Sequence, residues 1–467
     1  MEIAKEVSLS EVLIEELIEI VGEADVLTAE DKVKKLSKDF YWYSPVLKRK
    51  LDEKKASIAL KIGDREILKQ VLSLLVKNRI PITTRGGGTG NYGQAVPLHG
   101  GVVIDLTPMD KFEIVDGVVI AEAGARIGSI EPAARELGYE MRCVPSTWVK
   151  SSIGGFLCGG SGGIGSIRYG GILAGDNVKS LTIITAEEEP QEIRLEEREV
   201  VDSLHTYGTT GLVVGVEMRL GEALHYDQMI FAHPDWLTLL NWMDKVARDK
   251  NIPKRLASQF QSPIPQYFKP LKKYYEEGMH WGFLMVDSDY SEEVIKDAKT
   301  LGINCVYNTS LPEPLKPPYI SDYTWNHTTL WAIKTDSQLT YLQAGFGKNF
   351  KENFEKLWAK FGDEILIHIE WTAGWGTELA PGKIPSGEDI GVGGIPLVRF
   401  TTEERLQEII DYANSIGVGI ANPHTYILED GGTDARMKFK YELKMKMDPH
   451  SLMNPGKMKG YKNPFAK

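Results

Sequence analysis

Apolar residues recur at helical spacing from the start of the chain. Val12, Leu13, Leu17, Ile18 and Val21 share one face of residues 8–24, and Ser8 or Ser10 is placed to cap that helix. The pattern then changes to a strand over 57–63, followed by an amphipathic helix over 64–80 that Asp64 caps. RIPITTRGGG reads as a strand entering a glycine loop, and 100–109 as a short apolar strand. Residues 112–125 form a hairpin turning at Asp116-Gly117, and 126–138 a helix that ends near Gly138. Two strands joined by an acidic turn are expected over 177–195, and a buried strand pair over 209–220.

Beyond about residue 222 the chain changes character. Tryptophans and tyrosines become frequent between 223 and 410, and helices alternate with strands such as EILIHIEWT (364–372). The proline cluster at 311–320 suits neither helix interior nor central strand, so it reads as a long loop. A threonine-capped helix covers 401–417, and the tail ends in DPHSLMNPGKM (448–458). Strand–helix–strand at the front with hairpins behind it argues for an α+β fold. The second unit is expected to be an antiparallel sheet with helices on one face. The boundaries are read as 1–222, 223–417 and 418–467.

At 467 residues, two or three domains are expected. A net charge of −11 disfavours nucleic acid or an anionic membrane as partner. Cys143, Cys158 and Cys305 make neither a disulfide framework nor a zinc motif, which suits a reducing, cytoplasmic setting. The acidic N-terminus does not read as a signal peptide, and no run of about 18 uncharged apolar residues suggests a membrane span.

Two stretches concentrate the candidate chemistry. Glycines crowd TTRGGGTGNYG (83–93) and again SIGGFLCGGSGGIGSIRYGG (152–171). Glycine loses the most backbone entropy on folding, so such density implies a close approach, most often to phosphate. Gly88-x-Gly90-x-x-Gly93 fits the letters of a dinucleotide fingerprint, but a proline and a strand follow it rather than a helix. No Walker A sequence occurs.

TTRGGGTGNYGQAVP resembles the phosphate loop of the vanillyl-alcohol oxidase / p-cresol methylhydroxylase flavoprotein superfamily. It is most similar to the FAD-linked oxidase branch of glycolate oxidase subunits and D-lactate dehydrogenases. The resemblance extends in order through 151–171, TYGTTGLVVGVEMRL (206–220) and DPHSLMNPGKM, while 223–410 is largely outside it. It implies a two-lobed FAD-binding domain of the PCMH type with an antiparallel-sheet cap. Arg85, Gly86, Gly87, Gly88, Thr89, Gly90, Asn91, Tyr92 and Gly93 would wrap the pyrophosphate. Pro145, Ser146, Ser152, Gly154 and Gly155 would line flavin and ribose, continued by Gly162, Gly165, Ser166 and Tyr169. Leu212 and Val213 would serve the adenine side, and Asn454 would return to the flavin ring. Members that bond FAD covalently carry a histidine where Thr89 stands, or a cysteine near Trp148; their absence here implies dissociable FAD.

Candidate substrate residues lie outside those segments. His327 sits in SDYTWNHTTLW; His368 and Glu370 share a strand face by period two, as do His424 and Tyr426 if that stretch is extended. Moving a hydride to flavin N5 from a hydroxy acid or alcohol needs a base for the hydroxyl proton. Histidine suits that task, with His327 or His424 as acceptor. Lys334 or Arg399 could hold a carboxylate. His368, Glu370 and His424 could bind a divalent metal as in some hydroxy-acid members, but the histidine-rich segment of those members is missing, so no metal is expected. Two alternatives remain open: oxidation of a 4-substituted phenol, with Tyr92, Tyr323 and Tyr426 as candidates, and a flavin-binding electron-transfer subunit without turnover. The electron acceptor (oxygen, quinone or partner protein) and homo-oligomerisation are left open by the sequence.

Overall fold

The computed structural model describes residues 7–174, 176–374, 385–432, 436–461 and 463–465. Its first sheet runs Val26–Leu27, Ile58–Lys61, Val102–Asp105, Ile82–Arg85, with the last three strands parallel. The crossover is the helix Arg65–Lys77, which Asp64 caps by accepting from the Glu66 and Ile67 N–H groups at 2.8 and 3.0 Å. Leu68, Val71, Leu72, Leu75 and Val76, spaced three and four apart, are all buried against that sheet. The opening helix is Glu11–Val21, capped by Ser10. Leu13 and Leu17 are buried and Ile18 and Val21 pack beside them, as expected of that face, whereas Val12 is 63 % exposed.

A six-stranded antiparallel sheet follows, built on the long strand Leu212–Glu222. Where a strand pair was expected over 209–220 there is this one strand, which pairs with Val118–Glu122, Val178–Ile184 and Tyr139–Met141. The hairpin turns at Asp116 and Gly117, both with positive φ (48° and 71°) as a tight two-residue turn requires. The second glycine stretch is not all loop. It contains the short helices Ile153–Gly159 and Ser166–Tyr169, the first capped by Ser152.

Eight strands make the third sheet, all antiparallel, in the order Asn304–Ser310, Tyr226–His233, His280–Asp287, Lys254–Phe260, His368–Ala373, Ile390–Gly394, Gln343–Gly345, Gly419–Ala421. Period-two alternation divides its faces. Met229 and Phe231 join the core under the helices Trp236–Arg248, Ser291–Thr300, Phe350–Phe361 and Glu403–Ser415, whereas Ile230 and Ala232 face the glycine-rich half. A buried ionic seam crosses between them. Arg255 reaches Glu131 at 2.7 Å and Glu140 at 3.4 Å, and Arg135 meets Glu140 at 3.0 Å. Among the described residues no helix is long and apolar enough to cross a membrane.

Candidate active site

The strand Ile82–Arg85 delivers the chain into the first glycine stretch, and Arg85 turns back to donate to the Leu36 and Lys38 carbonyls at 2.7 Å each. The two glycine stretches then touch each other. Ser152 Oγ accepts from both the Gly87 and Gly155 N–H groups at 3.3 Å. A Cβ on Gly86 would lie 1.9 Å from Ser152 Oγ, and one on Gly87 only 2.4 Å from the Lys150 carbonyl oxygen. Neither position has room for a side chain. Past this contact, the backbone N–H groups of residues 88–91 line a cavity and find no acceptor among the described residues.

The C-terminal segment holds that loop from behind. Asn454, in a left-handed conformation, donates its N–H to Ile82 O at 2.7 Å and its amide to Gln94 O and Tyr207 O. Lys457 donates to the carbonyls of Gly93, Gln94 and Val96. Asp39 faces that ammonium and accepts from the Tyr41 and Ala95 N–H groups. Burial lowers the Lys457 ammonium to about 7 and pushes the Asp39 carboxyl up.

The cavity encloses about 600 Å³. Both glycine stretches line it, through Arg85, Gly86, Gly87, Gly88, Thr89, Gly90, Asn91, Tyr92, Pro145, Ser146, Ser152, Gly154, Gly155 and Gly162, together with Val213. Gly93, Gly165, Ser166, Tyr169, Leu212 and Asn454 stand outside its wall. Their surroundings explain this. Gly165 is pressed on the Arg142 carbonyl, Ser166 Oγ accepts from Gly163 N–H, and Tyr169 lies under the Arg142 and Arg168 guanidinium groups. Leu212 is sealed in the first sheet's core. Lys334, the expected carboxylate partner, lines the cavity with Trp325 and Asn326 of the aromatic-rich stretch that holds His327. Phe40, Trp42, Tyr43, Leu330, Gln343 and Ile395 complete the wall and were not foreseen. The aromatic run at 40–43 was its available signal.

Of the four histidine and glutamate candidates, His327 alone lines the cavity. It sits on the helix Asn326–Thr335, one ring nitrogen bonded to the Asp322 backbone. Burial, with a smaller contribution from the Lys334 charge, lowers its pKa to about 4, so the imidazole is neutral at ordinary pH. Three polar atoms on cavity-lining residues are buried without partners among the described residues: Trp325 Nε1 and Asn326 Oδ1 beside it in sequence, and Gln94 Oε1 next to Gly90.

His368 and Glu370 do share a strand face, as their spacing requires, but they form a closed pair behind the cavity, 2.9 Å apart. His424 is fully enclosed, with Nδ1 against Ser44 Oγ at 2.7 Å and Nε2 against the Tyr341 carbonyl at 2.8 Å. Tyr426 packs with Tyr41, Leu47 and Leu51. Tyr323 is buried against Phe268 and Trp331. Among the described residues no group of three or more His, Cys, Asp or Glu side chains is placed to hold a metal.

The unpaired N–H groups at 88–91 and the orphaned polar atoms on lining residues fit a diphosphate-bearing cofactor with a polar ring edge. Residues 56–194 match the family model described as FAD binding domain, a span that covers both glycine stretches. That span is therefore an FAD binding domain, and FAD is its cofactor.

Among its relatives, it is 28 % identical over 256 residues to a Mycobacterium tuberculosis (strain ATCC 25618 / H37Rv) protein named as an uncharacterized FAD-linked oxidoreductase, covering 53 % of this chain and 52 % of that one. It is 29 % identical over 115 residues to a D-lactate dehydrogenase of Archaeoglobus fulgidus, 24 % of this chain and 26 % of the other. It is also 29 % identical over 162 residues to a D-2-hydroxyglutarate dehydrogenase of Xanthomonas citri pv. viticola, 34 % and 33 % respectively. The chain thus spans about half the length of the curated relatives it matches, or less. A solved structure of alkyldihydroxyacetonephosphate synthase shares its fold with a TM-score of 0.69, covering 97 % of this chain and 88 % of the other at 14 % identity.

Proposed function

We propose that this protein is an FAD-dependent oxidoreductase that oxidises the CH–OH group of a small hydroxy acid, with FAD held dissociably. In this reading residues 1–222 form a two-lobed FAD-binding domain, 223–417 a cap, and 418–467 a segment that returns to the cofactor loop. The observation that carries it is the helix Asn326–Thr335, which sets His327 and Lys334 on the wall of the cavity that the FAD loops also line. The names of the D-lactate and D-2-hydroxyglutarate dehydrogenase relatives point the same way.

FAD, when bound, supplies the acceptor for the substrate C–H hydrogen and its electron pair. The chain's own residues do the rest. Lys334 meets the carboxylate by charge. Neutral His327, its one ring nitrogen tied to the Asp322 backbone, offers the other to take the hydroxyl proton. Thr89 bonds to Ser151 Oγ at 2.8 Å rather than offering a nucleophile, and burial pushes the Cys158 thiol up to about 12, so neither suits a covalent flavin link.

A phenolic substrate is the second reading, favoured by the aromatic wall of Phe40, Trp42 and Tyr43 beside Tyr92. Anaerobic bleaching of the FAD-loaded protein against 2-hydroxy acids and 4-alkylphenols separates the two. A hydroxy acid is expected to bleach it, and His327→Ala to slow that step about 10²–10⁴-fold. Bleaching by phenols alone, or an unimpaired His327→Ala, would sink the proposal.

A further inference from the structure

Trp325 begins the helix that carries His327 in a backbone conformation bulky residues avoid, φ 52° and ψ −137°. Such strain persists only where surrounding structure imposes it. The backbone of this residue is hydrogen-bonded to a carboxylate. The Trp325 N–H donates to Glu370 Oε1 at 2.8 Å, across 45 residues of sequence. Glu370 is 1 % exposed, and each of its oxygens is committed. Oε1 also meets His368 Nε2 at 2.9 Å, and Oε2 accepts from Ser258 Oγ at 2.5 Å. His368 is fixed in turn, stacked on Phe260 at 4.8 Å with Nδ1 at 3.2 Å from the Ile395 carbonyl.

Neither His368 nor Glu370 lines the cavity, whereas Trp325, Asn326 and His327 do. Two of the orphaned buried atoms, Trp325 Nε1 and Asn326 Oδ1, belong to this same turn. A buried carboxylate so fully occupied is poorly placed to exchange protons with a substrate, but well placed to hold a backbone amide. We propose that Glu370, oriented by His368 and Ser258, is a positioning residue that keeps Trp325 in its left-handed conformation and so aims Asn326 and His327 into the cavity. The catalytic consequence rests on the role given to His327 above. The structural claim does not.

What matters is the reach of the acceptor oxygen, not its charge, and two substitutions separate these. Glu370→Gln keeps an acceptor oxygen at the same reach and removes the charge. Glu370→Asp keeps the charge and withdraws the oxygen by one carbon. In the FAD-loaded full-length protein, Glu370→Asp is expected to slow anaerobic flavin reduction on the order of 10²-fold, as for a misplaced catalytic group. The rates are compared at full FAD occupancy, read from flavin absorbance. Glu370→Gln is expected to retain most of the rate. Amide hydrogen exchange at Trp325 gives the readout that does not depend on turnover: protected in wild type and Glu370→Gln, fast in Glu370→Asp. Equal rates and equal exchange in the two variants, or a slow Glu370→Gln beside a normal Glu370→Asp, overturn the proposal. Should no hydroxy acid bleach the wild type, the functional reading fails while the exchange result still decides the positioning role.

Discussion

His424 tests whether the enclosed histidines are structural, and His424→Ala is the perturbation. In the neutral ring, Nε2–H donates to the Tyr341 carbonyl, and Nδ1 accepts from the Ser44 hydroxyl, whose oxygen also caps Leu47. Truncation leaves the hydroxyl and the carbonyl buried without partners, at about 1–3 kcal/mol each, and leaves a ring-sized void. The expected loss is about 3–5 kcal/mol, a large share of an ordinary domain's stability. Acid should act on the same contact. Burial lowers the folded pKa from 6.5 to about 4, so the unfolded chain binds the proton first as pH falls. Stability is therefore complete above about pH 6.5 and declines toward pH 4, by about 3 kcal/mol for this group. Urea titrations at pH 7 and pH 4.5 on wild type and His424→Ala measure both effects, and the variant should show the shallower pH dependence. Flavin reduction per folded, FAD-loaded molecule should not change at pH 7. A variant of normal stability that reduced its flavin about a hundredfold more slowly would refute this assignment and restore His424 as a proton acceptor.

The cofactor loop yields two further expectations. Gly87→Ala places a Cβ 2.4 Å from the Lys150 carbonyl, so the two glycine stretches must part; FAD binding should weaken by about 1–3 kcal/mol in a fluorescence titration, and an unchanged affinity would remove the close-approach argument. Lys457→Met releases three loop carbonyls and leaves Asp39 without the ammonium that faces it, which should cost about 3–5 kcal/mol in chemical denaturation and reduce FAD retention on gel filtration. Wild-type behaviour in both assays would mean that the tail does not brace the loop.

Local rules reached the elements whose signals are local. The Asp64 cap, the Asp116-Gly117 turn and the shared face of His368 and Glu370 all follow from a few neighbouring residues. The helix Met437–Met447 escaped because its lysines break the apolar stripe. Lys440 and Lys444 nevertheless point inward, donating to the His205 and Thr209 carbonyls, which no periodicity announces. Ile153–Gly159 escaped for the opposite reason. Glycine is a poor helix former, and only the Ser152 cap and the packing of Gly154 on Ala123 make that turn helical. The rest of the cavity wall joins Phe40, Trp42 and Tyr43 with Trp325, Asn326, Leu330, Lys334, Gln343 and Ile395, separations that a single sequence cannot pair.

The glycines themselves carry two demands that look alike in sequence. One is the expected exposure of backbone N–H groups to phosphate, which residues 88–91 satisfy by lacking any acceptor among the described residues. The other is chain meeting chain. Gly86 and Gly87 close on Ser152 and Lys150, and Gly163 closes on Val144, so these positions are small for their neighbours' sake. Gly86 and Gly87 meet this demand while also lining the cavity, whereas Gly163 meets it outside the wall. Substitutions at 86 and 87 should therefore change both fold stability and cofactor affinity. At 89, where a side chain already stands on the cavity wall bonded to Ser151, Thr89→Ala loses only that bond, about 0.5–1.5 kcal/mol of fold stability in urea titration, without forcing the two stretches apart.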